Sequence, residues 1–386
     1  MTAPHMKVAI LGQGCAGLAS AYHLLQIHHG NKKTIHIDMY DAFGIGSGAT
    51  GVAAGLIHPF GVSGKLLWQG FPAYTEAAKL VHEAQQDSQE VFSRSMGFFR
   101  PAAHEKQRHQ FVKNIGWNPT RDLLDAYCVS SPAGGHLEEN VSGFFIPNGL
   151  VIDTKLYLQA VWNLCKRHAL EYGSVLDMHT RAITRLQDLE EHGYNAVIVA
   201  TGAAIGEIEE LKDVVQLDLC QGYTVEICSS GTHEESRHCQ QSILGNPYIA
   251  FQGSSRAIIG ATQTHGISSS EAFRICETSS NDTSEEALHA ASTLMQNARS
   301  ILAELNDWNV TAVRSGVRGL PTRTHQGSIP YAGRVHDGCW ILAGLGARGL
   351  VYHAWLARLT AISVFQGNDI ISTEYPELAR WKRHDS

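Results

Sequence analysis

The chain has 386 residues, long enough to bury a sizeable core and to divide into two structural domains. Hydrophobic residues make up 44% and charged residues 17%, a globular composition that excludes a disordered chain. Thirty Lys+Arg stand against 37 Asp+Glu, a formal charge of -7, so no overall field draws a polyanion and nucleic-acid binding is disfavoured, a local basic patch apart.

Residues 7–11 (KVAIL) read as a short buried strand because a continuous apolar run stops abruptly at glycine. GQGCAG follows, and in the segment after it Leu18, Tyr22, Leu25 and Ile27 recur near helical spacing until Gly30 closes the run. A second strand is expected over 34–41 (TIHIDMYD), which completes a βαβ unit. Small residues crowd 46–60 (GSGATGVAAGLIHPF), where a larger side chain would obstruct something. Further along, 195–202 (NAVIVATG) and 339–346 (CWILAGLG) read as strands of the same sheet, the latter leading into a helix, LVYHAWLARLTAISVF. Between them, 219–263 holds the alternating runs YTVEI, NPYIAF and RAIIGAT of an antiparallel sheet. The polar stretch 268–286 is expected as a turn-rich surface excursion, and 285–305 as an amphipathic helix.

This order predicts an α/β fold: a Rossmann-like nucleotide-binding domain assembled from 1–85, 145–218 and 325–386, with an inserted α+β domain of 86–144 and 219–324 containing the antiparallel sheet. Eight cysteines lie far apart with no CxxC pair, so neither a zinc site nor a redox dithiol is indicated, and free thiols in a reducing compartment are expected. The first residues lack the pattern of a signal peptide, and no apolar run is long enough to span a bilayer; the expected location is cytoplasmic. The 21 histidines show no clustered ligand spacing, so no metal is expected.

Gly12, Gly14 and Gly17 form GxGxxG between a strand and a helix. The first permits a tight turn, the second lets a pyrophosphate approach the backbone, and the third lets the helix pack closely. The acid expected to hold the ribose hydroxyls ends the second strand. Period-two alternation puts Asp38 inside that strand and Asp41 at its exit, which favours Asp41 and an unphosphorylated ribose. The small-residue segment directly after this acid suits a loop wrapping a long cofactor, which points to FAD rather than NAD.

The chain resembles the D-amino-acid oxidase superfamily of FAD enzymes. The resemblance is carried by GxGxxG, Asp41-Ala42, GSGATGVAAGLIHP, FFIPNGLVID (144–153), ATG (200–202), SGVRGLPTRTHQGSIPYAG (315–333) and GLGARGL (344–350), in family order along almost the whole chain. GFFRPAAHEKQ, IPNGLVID and IIGAT are most similar to the oxidase domain of the bifunctional enzyme that modifies carboxymethylaminomethyl-uridine in tRNA. The resemblance implies non-covalent FAD held by Gly12, Gly14, Cys15, Ala16, Gly17, Asp41 and Ala42, by Ser47, Gly48, Ala49, Thr50, Ala53, Ala54, Gly55 and Leu56, by Ala200, Thr201 and Gly202, and by Gly344, Gly346, Ala347, Arg348, Gly349 and Leu350. It also implies that Arg318 grips a substrate carboxylate, that Arg348 lies beside the flavin, and that the Tyr248 hydroxyl adds a hydrogen bond.

Two departures, His325 after the key arginine and Gln263 after GAT, are expected on the pocket wall. The block 315–333 has no cysteine for a covalent flavin bond; His58 is a candidate anchor, a backbone-bonded histidine being the plainer reading. The expected activity is oxidation of a small amino acid or N-substituted glycine, with oxygen or another acceptor taking the electrons. The alternatives are an oxidase of the modified uridine in tRNA and a non-catalytic FAD-binding protein. Homo-oligomerisation is left open.

Overall fold

The computed structural model describes residues 6–116, 127–129, 142–229, 241–277 and 281–384. A six-stranded sheet is drawn from the beginning, middle and end of the chain: β1 (Met6–Leu11), β2 (Ile35–Asp41), β3 (Val175–Thr180), β4 (Ala196–Val199), β5 (Tyr331–His336) and β6 (Cys339–Ala343). Their order across the sheet is β5-β6-β4-β1-β2-β3, parallel except for β5, which runs against β6.

Alternation along each strand splits the core. Val8, Ile10, Ile37, Met39 and Leu342 face a helical layer, while Ala9, Leu11, Val199 and Ile341 face the shorter segments that hold Ile205 and Leu211. The helical layer comprises α1 (Cys15–Gly30), α2 (Gly70–Asp87), α3 (Thr154–Glu171) and α4 (Gly349–Gln366), with α1 packed against both α3 and α4. Both α1 and α4 are buried over most of their surface. Gly17, Ala19 and Ala21 keep the backbone of α1 close to its neighbours, and Asp153 caps α3 by accepting from the N–H groups of Lys155 and Leu156.

A nine-stranded sheet forms a roof over the parallel one. Its two long strands, Asp218–Ser229 and Trp308–Leu320, pair antiparallel, so that Cys220 stands opposite Arg318. The roof continues through Arg256–Gly260, Tyr248–Phe251 and Ser242–Ile243 to Phe98–Pro101. The helix Glu285–Ile301 covers its outer face, placing Ala291, Leu294 and Ala298 against Val225, Ile249 and Ile259. Period two then turns Tyr248 and Ala250 inward, toward Ala54 and Leu56.

The stretch 268–286 departs from the expected surface excursion. Ser269–Glu277 is a helix that buries Ala272 and packs Phe273 against Phe43 with the rings tilted, so apolar residues spaced along a polar segment found a partner the local composition did not reveal. The expected amphipathic helix forms over Glu285–Ile301, capped by the Ser284 hydroxyl. All seven described cysteines are free thiols; Cys239 lies outside the described residues.

Candidate active site

A cavity of about 480 Å³ opens where the parallel strands end, with Leu11, Asp41, Arg181, Ala200 and Leu342 on its wall. The carboxyl ends of an open parallel sheet are where such folds bind ligands. Two helix N-termini face the same space: Cys15 and Ala16 of α1, and Gly349 and Leu350 of α4. Each presents backbone N–H groups and the positive end of a helix dipole.

At the first of these, bare backbone is a steric requirement. Gly12 has φ of 102°, and a Cβ there would lie 2.4 Å from the Ala200 carbonyl oxygen; a Cβ on Gly17 would lie 1.9 Å from the carbonyl oxygen of Gly12. Gly17 therefore closes the turn from behind, and of the cofactor positions named from the sequence it is the one that does not line the cavity. The wrapping loop is pinned to the turn, because Gly46 N–H donates to the Gln13 carbonyl at 3.2 Å and Cys15 N–H to Thr50 Oγ1 at 3.4 Å.

Asp41 lines the cavity. Its Oδ1 accepts from the N–H groups of Phe43 and Gly44, each at 3.0 Å, and its Oδ2 accepts from Gln13 N–H at 2.9 Å, which leaves an acceptor site on Oδ2. Asp38 lies away from the cavity, accepting from the Tyr194 hydroxyl at 2.8 Å and paired with His179 Nε2 at 2.8 Å. Burial alone would raise the Asp38 carboxyl, but these two hydrogen bonds together with nearby His36 and Lys7 outweigh it and hold the carboxyl below its ordinary range. Sequence reasoning missed Phe43, Phe273, Cys276 and the run 181–184, all on the wall. The run follows β3, whose six residues carry too weak an alternation to announce a strand.

Arg318 and Tyr248 come together under the roof. Arg318 has no carboxylate partner among the described residues; Nη2 makes only a long contact of 3.6 Å with Cys220 Sγ. The Tyr248 ring lies over Gly260, where a Cβ would meet its hydroxyl at 2.6 Å. Burial raises the Tyr248 hydroxyl to about 12, with nearby Arg318 pulling the other way, so it is a neutral donor at physiological pH.

A second group of cations lies at the start of α4. Arg348 Nη1 is 3.4 Å from His58 Nε2, while Phe60 N–H donates to His58 Nδ1 at 3.3 Å. A neutral imidazole accepts at only one nitrogen, so the two contacts cannot both be satisfied. Burial first, then Arg348 and Arg100, push the His58 pKa well below its ordinary value. Arg100 was not singled out from the sequence. It is 9% exposed, lines the cavity, and its Nε has no hydrogen-bond partner. Burial and then Arg348 lower its guanidinium to about 9, which still leaves it charged at neutral pH.

The two departures separate. Gln263 lines the cavity as expected, but His325 is exposed and absent from its wall, because Thr324 and Gly327 close a tight loop that carries it outward. His58 does lie on the wall, its Nδ1 accepting from Phe60 N–H.

Bare backbone at the glycine turn, two helix N-termini and guanidinium groups without a carboxylate partner among the described residues line one chamber, as a site for an extended anionic dinucleotide would require. Residues 7–361 match the family model for the FAD dependent oxidoreductases, DAO, and the chain belongs to that family. It is an FAD-dependent oxidoreductase, and FAD is its cofactor.

The fold is shared with iminodiacetate oxidase from Chelativorans sp. BNC1, at 20% identity over 94% of this chain and 95% of that one, TM-score 0.69. Glycine oxidase from Geobacillus kaustophilus matches at 18% identity over 94% and 95%, TM-score 0.71, and L-proline dehydrogenase from P. horikoshii at 14% over 98% and 98%, TM-score 0.71. No curated protein matches the sequence. Among the described residues, no helix is long and apolar enough to cross a membrane.

Proposed function

We propose that the enzyme oxidises the C–N bond of a small amino acid or N-substituted glycine. The observation that carries this reading is Arg318, a guanidinium without a carboxylate partner among the described residues, on the inner face of the roof and beside the neutral Tyr248 hydroxyl. A guanidinium offers two parallel donors to a carboxylate, and the hydroxyl adds a third. The substrates in the names of the structural neighbours, iminodiacetate, glycine and L-proline, all carry a carboxylate one carbon from an amine nitrogen, which supports the same chemistry.

In this reading Arg318 and Tyr248 fix the carboxylate, which orients the α-hydrogen and supplies much of the rate through position alone. FAD, when bound, accepts that hydrogen as a hydride, and the imine left behind hydrolyses in water. Gly12, Gly14 and the start of α1 would hold the pyrophosphate and Asp41 a ribose hydroxyl, while Arg348 and the start of α4 would place positive charge beside the flavin. We assign the cofactor side to 1–85, 145–218 and 325–386 and the substrate side to 86–144 and 219–324. Oxygen or a separate acceptor takes the electrons.

Anaerobic mixing of the yellow protein with glycine, sarcosine and D- and L-amino acids tests the proposal. Bleaching by amines that bear a carboxylate, and not by the corresponding simple amines, is expected; bleaching by neither would refute it.

A further inference from the structure

The cavity has two cationic poles, and the proposed reaction uses only one for substrate. Arg318 and Tyr248 form the first. Arg100, Arg348 and the neutral His58 form the second, and none of the three has a carboxylate partner among the described residues. Two guanidiniums that repel each other in a buried place are destabilised until an anion joins them, and the described residues supply none.

The second pole is itself divided between floor and roof. Arg348 belongs to the floor, at the entry to α4, where it suits the flavin. Arg100 belongs to the roof. Its strand Phe98–Pro101 runs parallel to Ser242–Ile243, which pairs with the strand carrying Tyr248, and Leu244 N–H donates to the Phe99 carbonyl at 2.8 Å. Alternation turns Arg100 to the same side as Phe98, whose ring meets His58 edge-on at 5.6 Å. One buried guanidinium with a free Nε therefore stands on a roof strand and lines the same chamber as the pair assigned to the first carboxylate.

We propose that Arg100 is the anchor of a second anion subsite and that the preferred substrate is an amino acid bearing two carboxylates, one held by Arg318 and Tyr248 and the other by Arg100. This rests on the reading of Arg318 given above. Binding of the second carboxylate also resolves the conflict at His58. With Arg348 drawn toward negative charge, Nε2 is free to carry the proton and donate it in a hydrogen bond, while Nδ1 accepts from Phe60.

The test uses the FAD-loaded enzyme in anaerobic stopped flow, with glycine and sarcosine as monocarboxylates, and iminodiacetate, aspartate and glutamate of both hands as dicarboxylates. At least one dicarboxylate is expected to reduce the flavin with kcat/KM 100-fold or more above the best monocarboxylate. Arg100→Leu is expected to collapse that preference to within about 5-fold, chiefly through KM. Sulfite addition to the flavin, which reports the charge around the ring, should shift less than 3-fold in the same variant.

Equal efficiency for the two substrate classes, or a preference that survives Arg100→Leu, would overturn the inference while leaving the proposed reaction intact. A large change in sulfite affinity with no change in preference would do the same, assigning Arg100 to the cofactor. If no amino acid reduces the flavin, the proposed reaction fails, and the subsite is judged by binding alone. Malonate and succinate should then perturb the flavin spectrum of the native protein at concentrations at least 30-fold below acetate, and parity would end the proposal. That measurement also serves if Arg100→Leu does not fold.

Discussion

At the nucleotide end of the cavity the backbone does the recognising: Gly12 must be bare, two helices aim their N–H groups inward, and Asp41 is fixed by three backbone donors. At the roof end the side chains proposed to recognise substrate, Arg318, Tyr248 and Arg100, come from separate strands of one sheet. The first end tolerates almost no change in side-chain size and is indifferent to which substrate is oxidised. In the proposed reaction the second decides selectivity. An enzyme with one cofactor and many relatives acting on different amines is what such a division allows.

Substitutions at the two ends should break apart accordingly. The largest effect is expected of Gly17→Leu, whose Cβ would meet the Gly12 carbonyl oxygen at 1.9 Å, a contact with backbone that cannot yield. The variant should purify colourless or not at all, and a yellow protein with full flavin content would show that the turn is not required. Next comes Arg318→Leu. Losing two charge-assisted hydrogen bonds at roughly 1.5–3 kcal/mol each should lower kcat/KM by about 150-fold to 25,000-fold, with flavin content retained in the absorption spectrum. A loss of flavin without a loss of efficiency per bound flavin would place Arg318 with the cofactor instead.

Smaller effects sharpen the contrast. Tyr248→Phe removes one neutral donor worth about 0.5–1.5 kcal/mol, so kcat/KM should fall about 2-fold to 13-fold. Because burial holds that hydroxyl near 12, the variant's pH profile between 6 and 9 should parallel that of the native enzyme; a missing ionisation in the variant would contradict this assignment.

Asp38→Asn probes a carboxylate outside both ends. The Asp38 pKa is depressed in the folded state, so its carboxylate contributes stability above its unfolded value of about 3.9 and loses it as pH falls through the folded value. Chemical denaturation at neutral pH should find the variant weaker by roughly 1–3 kcal/mol, with the gap closing below about pH 4. Flavin affinity should hold; a drop in it would move Asp38 into the cofactor site.

How much of this was legible beforehand follows from the same division. The glycine turn, the acid at the exit of β2 and the helix entry at Arg348 are local: a strand, a turn and a helix fit within a few consecutive residues, and steric exclusion fixes which types can stand there. Arg100 was invisible for the opposite reason. It sits in a four-residue strand, FFRP, that has no period to read, and its meaning depends on Arg348 and His58, which lie far away in the chain and close in space. The helix Ser269–Glu277 hid in a polar stretch because the partner that orders it, Phe43, follows the second strand. His325 was misplaced because a motif gives a position in the chain but not the direction in which a loop points.

The sequence by itself determined the family and the cofactor, through blocks in family order, and four of the six strands of the first sheet, through short apolar runs that end at a glycine or an acid. Only the tertiary structure decided which cations share a chamber and which lack a partner within it. Charge pairing is a property of distances across the fold, and those are set by how the roof sheet curves over the ends of β1, β2 and β6.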